Sequence, residues 1–387
     1  MVKRSGTLIF LFLIVGYFIH ANLIDIYKKG VIKLEADPGF GQKTSGDESI
    51  YDTRCDLICT PNGSFFVAAV AEHCLYRFSA EGKFVGKYGQ EGLGPGDLYF
   101  PGHLSVLDNR YLVIGEYATS RRVSLFDLEG NFVKLLKTDR NGLTTVALRD
   151  SKIAYTTFEY RPMKNQTQEF KTIIIVKDVE TGDEAAIYEF RTQRKFIRTG
   201  GGNSFMTMGS GEVIITPTRH GNLLVGVTMS DELKVYSPDG ELLWSFRLKM
   251  EPVSVTHDYI QRYKELTIQG MKERGMRQSL IDAVNRTPYE DMFGKHLPYF
   301  KDILVDSEGN ILVCKKTDCI GDCDEIFQVY SSEGKYICEV TVDNGIYDVT
   351  IDRRFKNIIF ANDAVYGLFP IKDNEEAGLQ LIRVKLR

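Results

Sequence analysis

Apolar residues in this chain come in short runs rich in β-branched and aromatic types, such as Phe65 to Val70, Leu75 to Phe78, Ile311 to Val313 and Ile326 to Tyr330. Runs of this length and composition predict strands rather than helices. Six times a glycine-bearing turn falls between two such runs. Four copies are clear: Ser79-Ala80-Glu81-Gly82, Asp127-Leu128-Glu129-Gly130, Ser237-Pro238-Asp239-Gly240 and Ser331-Ser332-Glu333-Gly334, each entered through Phe78, Phe126, Tyr236 or Tyr330. Weaker copies fall at Gly182 and Gly378, and the glycine-to-glycine steps are 48, 52, 58, 94 and 44 residues. Self-similarity at that period is the signature of a repeat array.

A second turn precedes the first by 19 to 25 residues, at Pro61-Asn62-Gly63, Asp108-Asn109 and Asp306 to Asn310. The other copies are assigned to Asp150-Ser151, Gly209-Ser210-Gly211 and Asp352-Arg353. Each unit then holds about four antiparallel strands, the pattern of a propeller blade. A β-sandwich also shows closely spaced turns, but without a super-period. The expected fold is therefore all-β, a six-bladed β-propeller spanning 31–387. The run Val31 to Ala36 is expected to complete the last blade.

The doubled step between Gly240 and Gly334 marks an insertion at 254–297. Here alternation stops, and Tyr259, Ile260, Tyr263, Leu266, Ile268 and Met271 recur at helical spacing. Ser254 or Thr256 caps a first helix, Gly275 ends it, and Gln278 to Asn285 forms a second. Seven basic and six acidic residues between His257 and Lys295 leave it nearly neutral. That balance favours packing across one face of the propeller, or gripping a partner, over nucleic-acid or membrane binding. The whole chain points the same way: a net charge of −4 and a pI near 6.0 carry no signature of polyanion binding, and nucleic acid is not an expected partner. The glycine-rich stretch Gly89 to Asp97 lacks the Lys-Ser or Lys-Thr of a phosphate cradle and reads as a connection between blades.

Lys3 and Arg4 precede an apolar stretch from Leu8 to Val15 that continues to Ile19. Residues 1–21 read either as a secretory signal cleaved after Ala21 or as an uncleaved anchor, since apolar character resumes at Leu23-Ile24. Both readings place the folded part outside the cytoplasm, periplasmic or secreted, with membrane contact only through this segment. Seven cysteines agree with an oxidising compartment. Cys319 and Cys323 are spaced to close a small disulfide loop or, with Cys314, to begin a metal site. The lack of paired CxxC ligands favours the disulfide.

The segments Gly92 to Pro101, Val329 to Gly334, and Pro298 to Asp306 after the helical insert resemble the six-bladed propeller family related to NHL repeats. The likeness covers roughly residues 45 to 385 and is strongest in blades one, two and five. It implies a secreted or anchored protein, and because the motifs are structural it implies no activity.

Aligning blades by their second strands places Glu72, Glu116, Glu159, Arg219, Lys316 and Asp363 around one mouth of the axial channel. His73, Tyr117, His220, Lys315 and Asn362 accompany them. These residues either form a polar ligand site or are solvated loop charges that pair with neighbours. No nucleophile elbow, HExxH or P-loop is present. The leading expectation is a non-catalytic extracytoplasmic binding module for a protein or small polar ligand, with no cofactor. A second is a lactonase-like hydrolase whose divalent cation is held by Glu72, Glu116, Glu159, Asn362 and Asp363, with His73 or His220 carrying a proton. A third is a membrane-tethered sensor or scaffold with the insert as docking element. Asn62, Asn165 and Asn285 begin glycosylation sequons, which matter only in a host that glycosylates.

Overall fold

The computed structural model describes residues 23–387 apart from 38–39, 41–49, 52–53, 117–120, 141, 143, 163–166, 199–203, 207–210, 274, 287, 321–322, 344–357, 362–363, 371–378 and 387. Residues 1–21, expected to be a signal or anchor, and the turn candidates at Asp352-Arg353 and Gly378 lie outside the described residues. Among the described residues no helix is long and apolar enough to cross a membrane.

A short helix α1 (Leu23–Tyr27) and a strand β1 (Val31–Ala36) precede the repeats. Blade one is β2 (Cys55–Cys59), β3 (Phe65–Ala69), β4 (Cys74–Phe78) and β5 (Phe84–Tyr88); blade two is β6 (Pro101–Leu107), β7 (Tyr111–Glu116), β8 (Arg122–Asp127) and β9 (Phe132–Lys137). Blade three has five strands: β10 (Thr145–Ala147), β11 (Lys152–Pro162), β12 (Thr167–Asp178), β13 (Glu184–Arg198) and β14 (Ser204–Met206). Blade four is β15 (Val213–Pro217), β16 (Leu223–Val227), β17 (Glu232–Tyr236) and β18 (Leu242–Arg247). Blade five is β19 (Phe300–Val305), β20 (Ile311–Lys315), β21 (Glu325–Tyr330) and β22 (Tyr336–Asp343). Blade six holds β23 (Ile358–Ala361), β24 (Ala364–Pro370) and β25 (Leu379–Leu386). Its fourth strand comes from the other end of the chain. Leu34 to Ala36 of β1 pair antiparallel with Leu386 to Val384, while Val31 to Lys33 run parallel to Thr341 to Asp343 of blade five.

The second strands of blades one, two, four and five read as nearly continuous apolar runs because both of their faces are covered. In β3 all five residues are buried. Phe65 and Val67 point into a core shared with Tyr366 and Leu368 of blade six, while Phe66 and Ala68 point into one shared with Leu104 and Leu112 of blade two. Further shared cores join blades two and three, three and four, four and five, and five and six. The core is thus a ring of interfaces, closed where blade six meets blade one. Fourth strands face water on one side and alternate accordingly, as in β5 and β18.

The clear turns share one construction. Gly82 N–H donates to the Ser79 carbonyl at 2.9 Å and Ser79 N–H to the Lys83 carbonyl at 2.7 Å, and the pattern recurs at Asp127, Ser237 and Ser331. The glycines take φ of +78°, +94°, +86° and +81°. The aromatic residue entering each turn, Phe78, Phe126, Tyr236 or Tyr330, sits at a register shift, so a bulge follows the turn as left-handed glycine geometry requires. In blades one, two and five that residue stacks edge-on against the first residue of the next strand, for example Phe126 on Phe132 at 5.7 Å.

Blade four corrects its expected register. Its first hairpin turn is Thr218 to Asn222, where Gly221 N–H bonds the Thr218 carbonyl at 2.9 Å, and not Gly209-Ser210-Gly211. The insertion between blades four and five holds α2 (His257–Glu273), α3 (Gln278–Asn285) and a 3₁₀ turn at Tyr289–Met292. Thr256 Oγ1 accepts the Tyr259 N–H at 3.2 Å, capping α2. Ile260, Val284, Tyr289 and Met292 form a core of its own, and a short ladder closes the base, with Leu297 N–H on the Val253 carbonyl at 2.8 Å.

Candidate functional site

Antiparallel topology puts the first-to-second and third-to-fourth strand turns of every blade on one face of the ring. The second-to-third loops and the connections between blades form the other face. The helical insertion is such a connection, so it stands on the second-to-third loop face, here called the mouth.

Glu72 lies in the blade-one loop at the mouth. Its Oε1 accepts the Tyr51 N–H at 3.0 Å, and its Oε2 accepts the Tyr76 hydroxyl and Lys87 Nζ, the latter at 3.3 Å. Burial, and then the hydrogen bond to Glu72, pushes the Tyr76 phenol far above its usual range. His73, in left-handed backbone with φ of +56°, accepts the Phe100 N–H on Nδ1 at 3.2 Å, and its ring lies tilted against those of Tyr99 and Phe100 at 5.6 and 4.8 Å. Both residues therefore fasten blade one to its neighbouring segments.

Glu116 ends β7 and is buried. Its Oε2 accepts Arg122 Nε at 2.5 Å and the Tyr99 N–H at 3.0 Å, and its Oε1 accepts the Ser124 hydroxyl at 2.7 Å. Burial pushes its carboxyl above the ordinary value, while the Ser124 and Arg122 bonds pull it down. Arg122 in turn donates to the Gly92 and Asp97 carbonyls at 2.9 and 3.3 Å. The glycine-rich stretch is thereby pinned as a blade connection, and Asp97 Oδ2 caps it from inside by accepting the Gly94 N–H at 2.9 Å. A side chain at Gly92 would place its Cβ 2.3 Å from that oxygen. This explains the density of glycine without a phosphate.

Three expected positions move. Glu159 is not a loop residue: it lies inside β11, where Lys171 and then Arg140 hold its carboxyl below the usual range. Arg219 and His220 occupy the first hairpin turn of blade four, on the face opposite the mouth, and Arg219 Nη1 donates to the Glu308 carbonyl of blade five at 3.0 Å. Lys316 does follow the second strand of blade five, and its ammonium lies over the Tyr259 ring of the insertion at 5.9 Å. Its companion Lys315 pairs with Glu339 at 2.9 Å. Tyr117, Asn362 and Asp363 lie outside the described residues. Cys319 and Cys323 are joined as a disulfide in the blade-five loop at the mouth.

The acids at the mouth are thus distributed among separate internal networks. Among the described residues no three His, Cys, Asp or Glu side chains come close enough to hold a metal ion. Arg122, unremarked in the sequence, is the residue that organises the blade-two corner; the detectable signal was a glutamate ending an otherwise apolar strand.

Residues 47–222 match a family model described as a 6-bladed beta-propeller. The chain is a six-bladed β-propeller. This propeller is similar to a protein of Bacteroides fragilis predicted to be exported, at 14% identity and a TM-score of 0.52 over 92% of this chain and 99% of that one. It is also similar to a duf4221 family member of Bacteroides vulgatus, at 10% identity and 0.48 over 92% and 99%, and to virginiamycin B lyase of Staphylococcus aureus, at 12% and 0.39 over 86% and 80%. No curated protein matches the chain by sequence. Likeness at these identities is one of fold.

Proposed function

We propose that the propeller is a non-catalytic binding module acting outside the cytoplasm, with the mouth and its helical insertion as the recognition face. The observation that carries this reading is the engagement of Glu72, His73 and Glu116 by internal partners. A cation-activated hydrolase needs convergent oxygens with free lone pairs and an open coordination position. Here both oxygens of Glu116 are taken, and Arg122 already supplies the positive charge. A location outside the cytoplasm is supported by the basic start and apolar stretch of residues 3–19, and by the disulfide at Cys319 and Cys323. The expected export of the Bacteroides fragilis neighbour is in keeping with it.

The tethered-scaffold reading draws support from the place of α1. Leu23 N–H bonds Glu308 Oε1 at 2.9 Å, and the Tyr27 hydroxyl donates to Asp306 Oδ2 at 3.0 Å, on the face opposite the mouth. An anchor ahead of Leu23 would leave from that face and turn the insertion away from the membrane.

The deciding experiment is elemental mass spectrometry of the purified chain after equilibration with calcium, zinc or manganese, together with a screen of lactones and esters. No stoichiometric metal and no turnover are expected. One bound ion per chain, lost in both Glu72→Gln and Glu116→Gln, would replace this reading with the hydrolase.

A further inference from the structure

Strands β11, β12 and β13 run 11, 12 and 15 residues, against five or six for the matching strands of blades one, two and four. β10 pairs only with the stretch Ile153 to Tyr155, so the rest of β11 and its partners continue past the ring on the mouth side. Strand alternation divides this extension into two faces. Glu159, Lys171 and Arg191 lie in register on one face, and the ion pairs Lys171 to Glu159, Lys171 to Glu189 and Arg191 to Glu169 neutralise it at 2.8, 3.2 and 3.4 Å. The other face carries Phe158, Tyr160, Phe170 and Phe190, with the Arg194 guanidinium packed over the Phe170 ring at 4.5 Å. Phe158 and Tyr160 lie 6.3 and 6.2 Å from the Phe170 ring and are 39% and 60% exposed.

At the foot of the aromatic face, Tyr188 and Phe190 meet blade four. With Val227, Met229, Ser230 and Glu232 they line a cavity of about 270 Å³. Gly211, at φ +82°, lets the chain pass where a Cβ would stand 3.2 Å from both Phe190 and Met229. The Tyr188 hydroxyl has no hydrogen-bond partner among the described residues, and burial followed by the charge of Glu232 raises its pKa. Glu232 Oε1 accepts the Ser245 hydroxyl at 2.9 Å, but its Oε2 stands 3.6 Å from Lys234 Nζ, beyond hydrogen-bond reach. The cavity therefore presents an acceptor, a donor and an amphoteric hydroxyl against aromatic and aliphatic walls, and its two charges cancel.

We propose that this cleft between blades three and four binds a pyranose residue of an uncharged oligosaccharide, whose remaining residues lie along the exposed rings of Tyr160 and Phe158. A pyranose offers C–H faces to the negative faces of aromatic rings and hydroxyls to Glu232, Lys234 and Tyr188. An apolar peptide would desolvate Glu232 and Lys234 without pairing them. An anion meets Glu232 and a cation meets Lys234. The proposal rests on the binding-module reading and names its ligand class.

The test is saturation-transfer NMR and calorimetry on the purified chain. The probes are the methyl glycosides of glucose, galactose, mannose and N-acetylglucosamine and the linear trisaccharides of each. Saturation transfer to ring C–H protons of at least one probe is expected, with affinity falling about tenfold in Glu232→Gln, the scale of one hydrogen bond to a charged group. Phe190→Ala is expected to abolish binding, and Tyr160→Ala, at an exposed position that leaves folding intact, to weaken the trisaccharide and spare the methyl glycoside. No transfer from any probe to the folded chain, or affinities unchanged in all three variants, would overturn the cleft assignment and leave the binding-module reading standing. Cleavage of a bound trisaccharide, seen by mass spectrometry, would keep the cleft as a saccharide site and overturn the non-catalytic reading instead.

Discussion

Arg122 Nε lies 2.5 Å from Glu116 Oε2 in a pair whose side chains are 5% and 0% exposed, and the same guanidinium holds the carbonyls of Gly92 and Asp97. A charge pair this deep gains stability only while both members are present, because losing one strands the other without water. Glu116→Ala and Arg122→Ala are each expected to cost about 3–5 kcal/mol in urea unfolding. The double change to Leu at both positions should recover part of that loss. Hydrogen exchange at the Leu98 amide, bonded to the Gln90 carbonyl at 2.8 Å, should quicken in Arg122→Ala well beyond exchange elsewhere in blade two. A solvated Glu116 would show neither effect.

Gly334 and Gly182 have the same backbone hand, with φ of +81° and +83°, but different surroundings. A Cβ at Gly334 would meet the Phe246 ring of blade four at 2.5 Å, whereas one at Gly182 meets nothing within 4 Å. Gly182→Ala therefore pays only for left-handed backbone, about 1–2 kcal/mol. Gly334→Ala adds overpacking at the interface between blades, about 1–3 kcal/mol more. Thermal melts of the two variants should separate accordingly, and equal losses would show that the turn glycines serve conformation alone.

Asp127 organises the blade-two turn as an acceptor. Its Oδ1 takes the Glu129 and Asn131 N–H groups at 2.9 and 2.8 Å, and its Oδ2 takes Asn131 Nδ2 at 2.9 Å. Burial opposes the charge, but the Asn131 side chain and the turn amides outweigh it and hold the carboxyl below its ordinary value. A depressed folded-state pKa gives stability that is present above the unfolded value, about 3.9, and lost as pH falls through the folded one. Asp127→Asn should therefore be less stable than the parent at pH 7, with the difference closing below about pH 4. Asp178, lowered by the Thr181 and Glu180 amides in the equivalent turn of blade three, should behave alike. A gap that persists unchanged to pH 2 would mean that the side chain acts by shape rather than by charge.

The turns at Gly82, Gly130, Gly240 and Gly334 were legible because glycine in a left-handed turn, a preceding Asp or Ser, and an aromatic at the bulge are local requirements written in adjacent residues. The candidate site was less so. Thr218-Arg219-His220-Gly221-Asn222 is built like the other first turns, but its basic central residues hide it, while the nearby Gly209-Ser210-Gly211 imitates it. That slip carried Arg219 and His220 to the wrong face. Blade three failed for another reason: strands twice the usual length moved Glu159 from a loop into a sheet. Contacts such as Glu116 with Arg122 and the Tyr188 ring with Tyr236 join different strands or different blades, and periodicity says which face a residue takes but not what it meets there.

The insertion carries its own core, Ile260, Val284, Tyr289 and Met292, and the chain enters and leaves it side by side, with Val255 N–H on the Lys295 carbonyl at 3.0 Å and Leu297 N–H on the Val253 carbonyl. Such an element can be removed without opening the ring, since the buried residues of blades four and five, Leu224, Phe300 and Val313 among them, belong to a separate cluster. Replacing residues 255–295 by a short Gly-Ser turn is expected to leave a cooperative unfolding transition and to shift its midpoint by only a few degrees, the scale of about 1 kcal/mol in a domain of this size. The Lys316 ammonium would lose its contact with the Tyr259 ring. If recognition at the mouth depends on the helices, this variant keeps its saccharide affinity in the blade-three cleft and loses any protein partner. Loss of the cooperative transition would instead make the insertion part of the propeller's own fold.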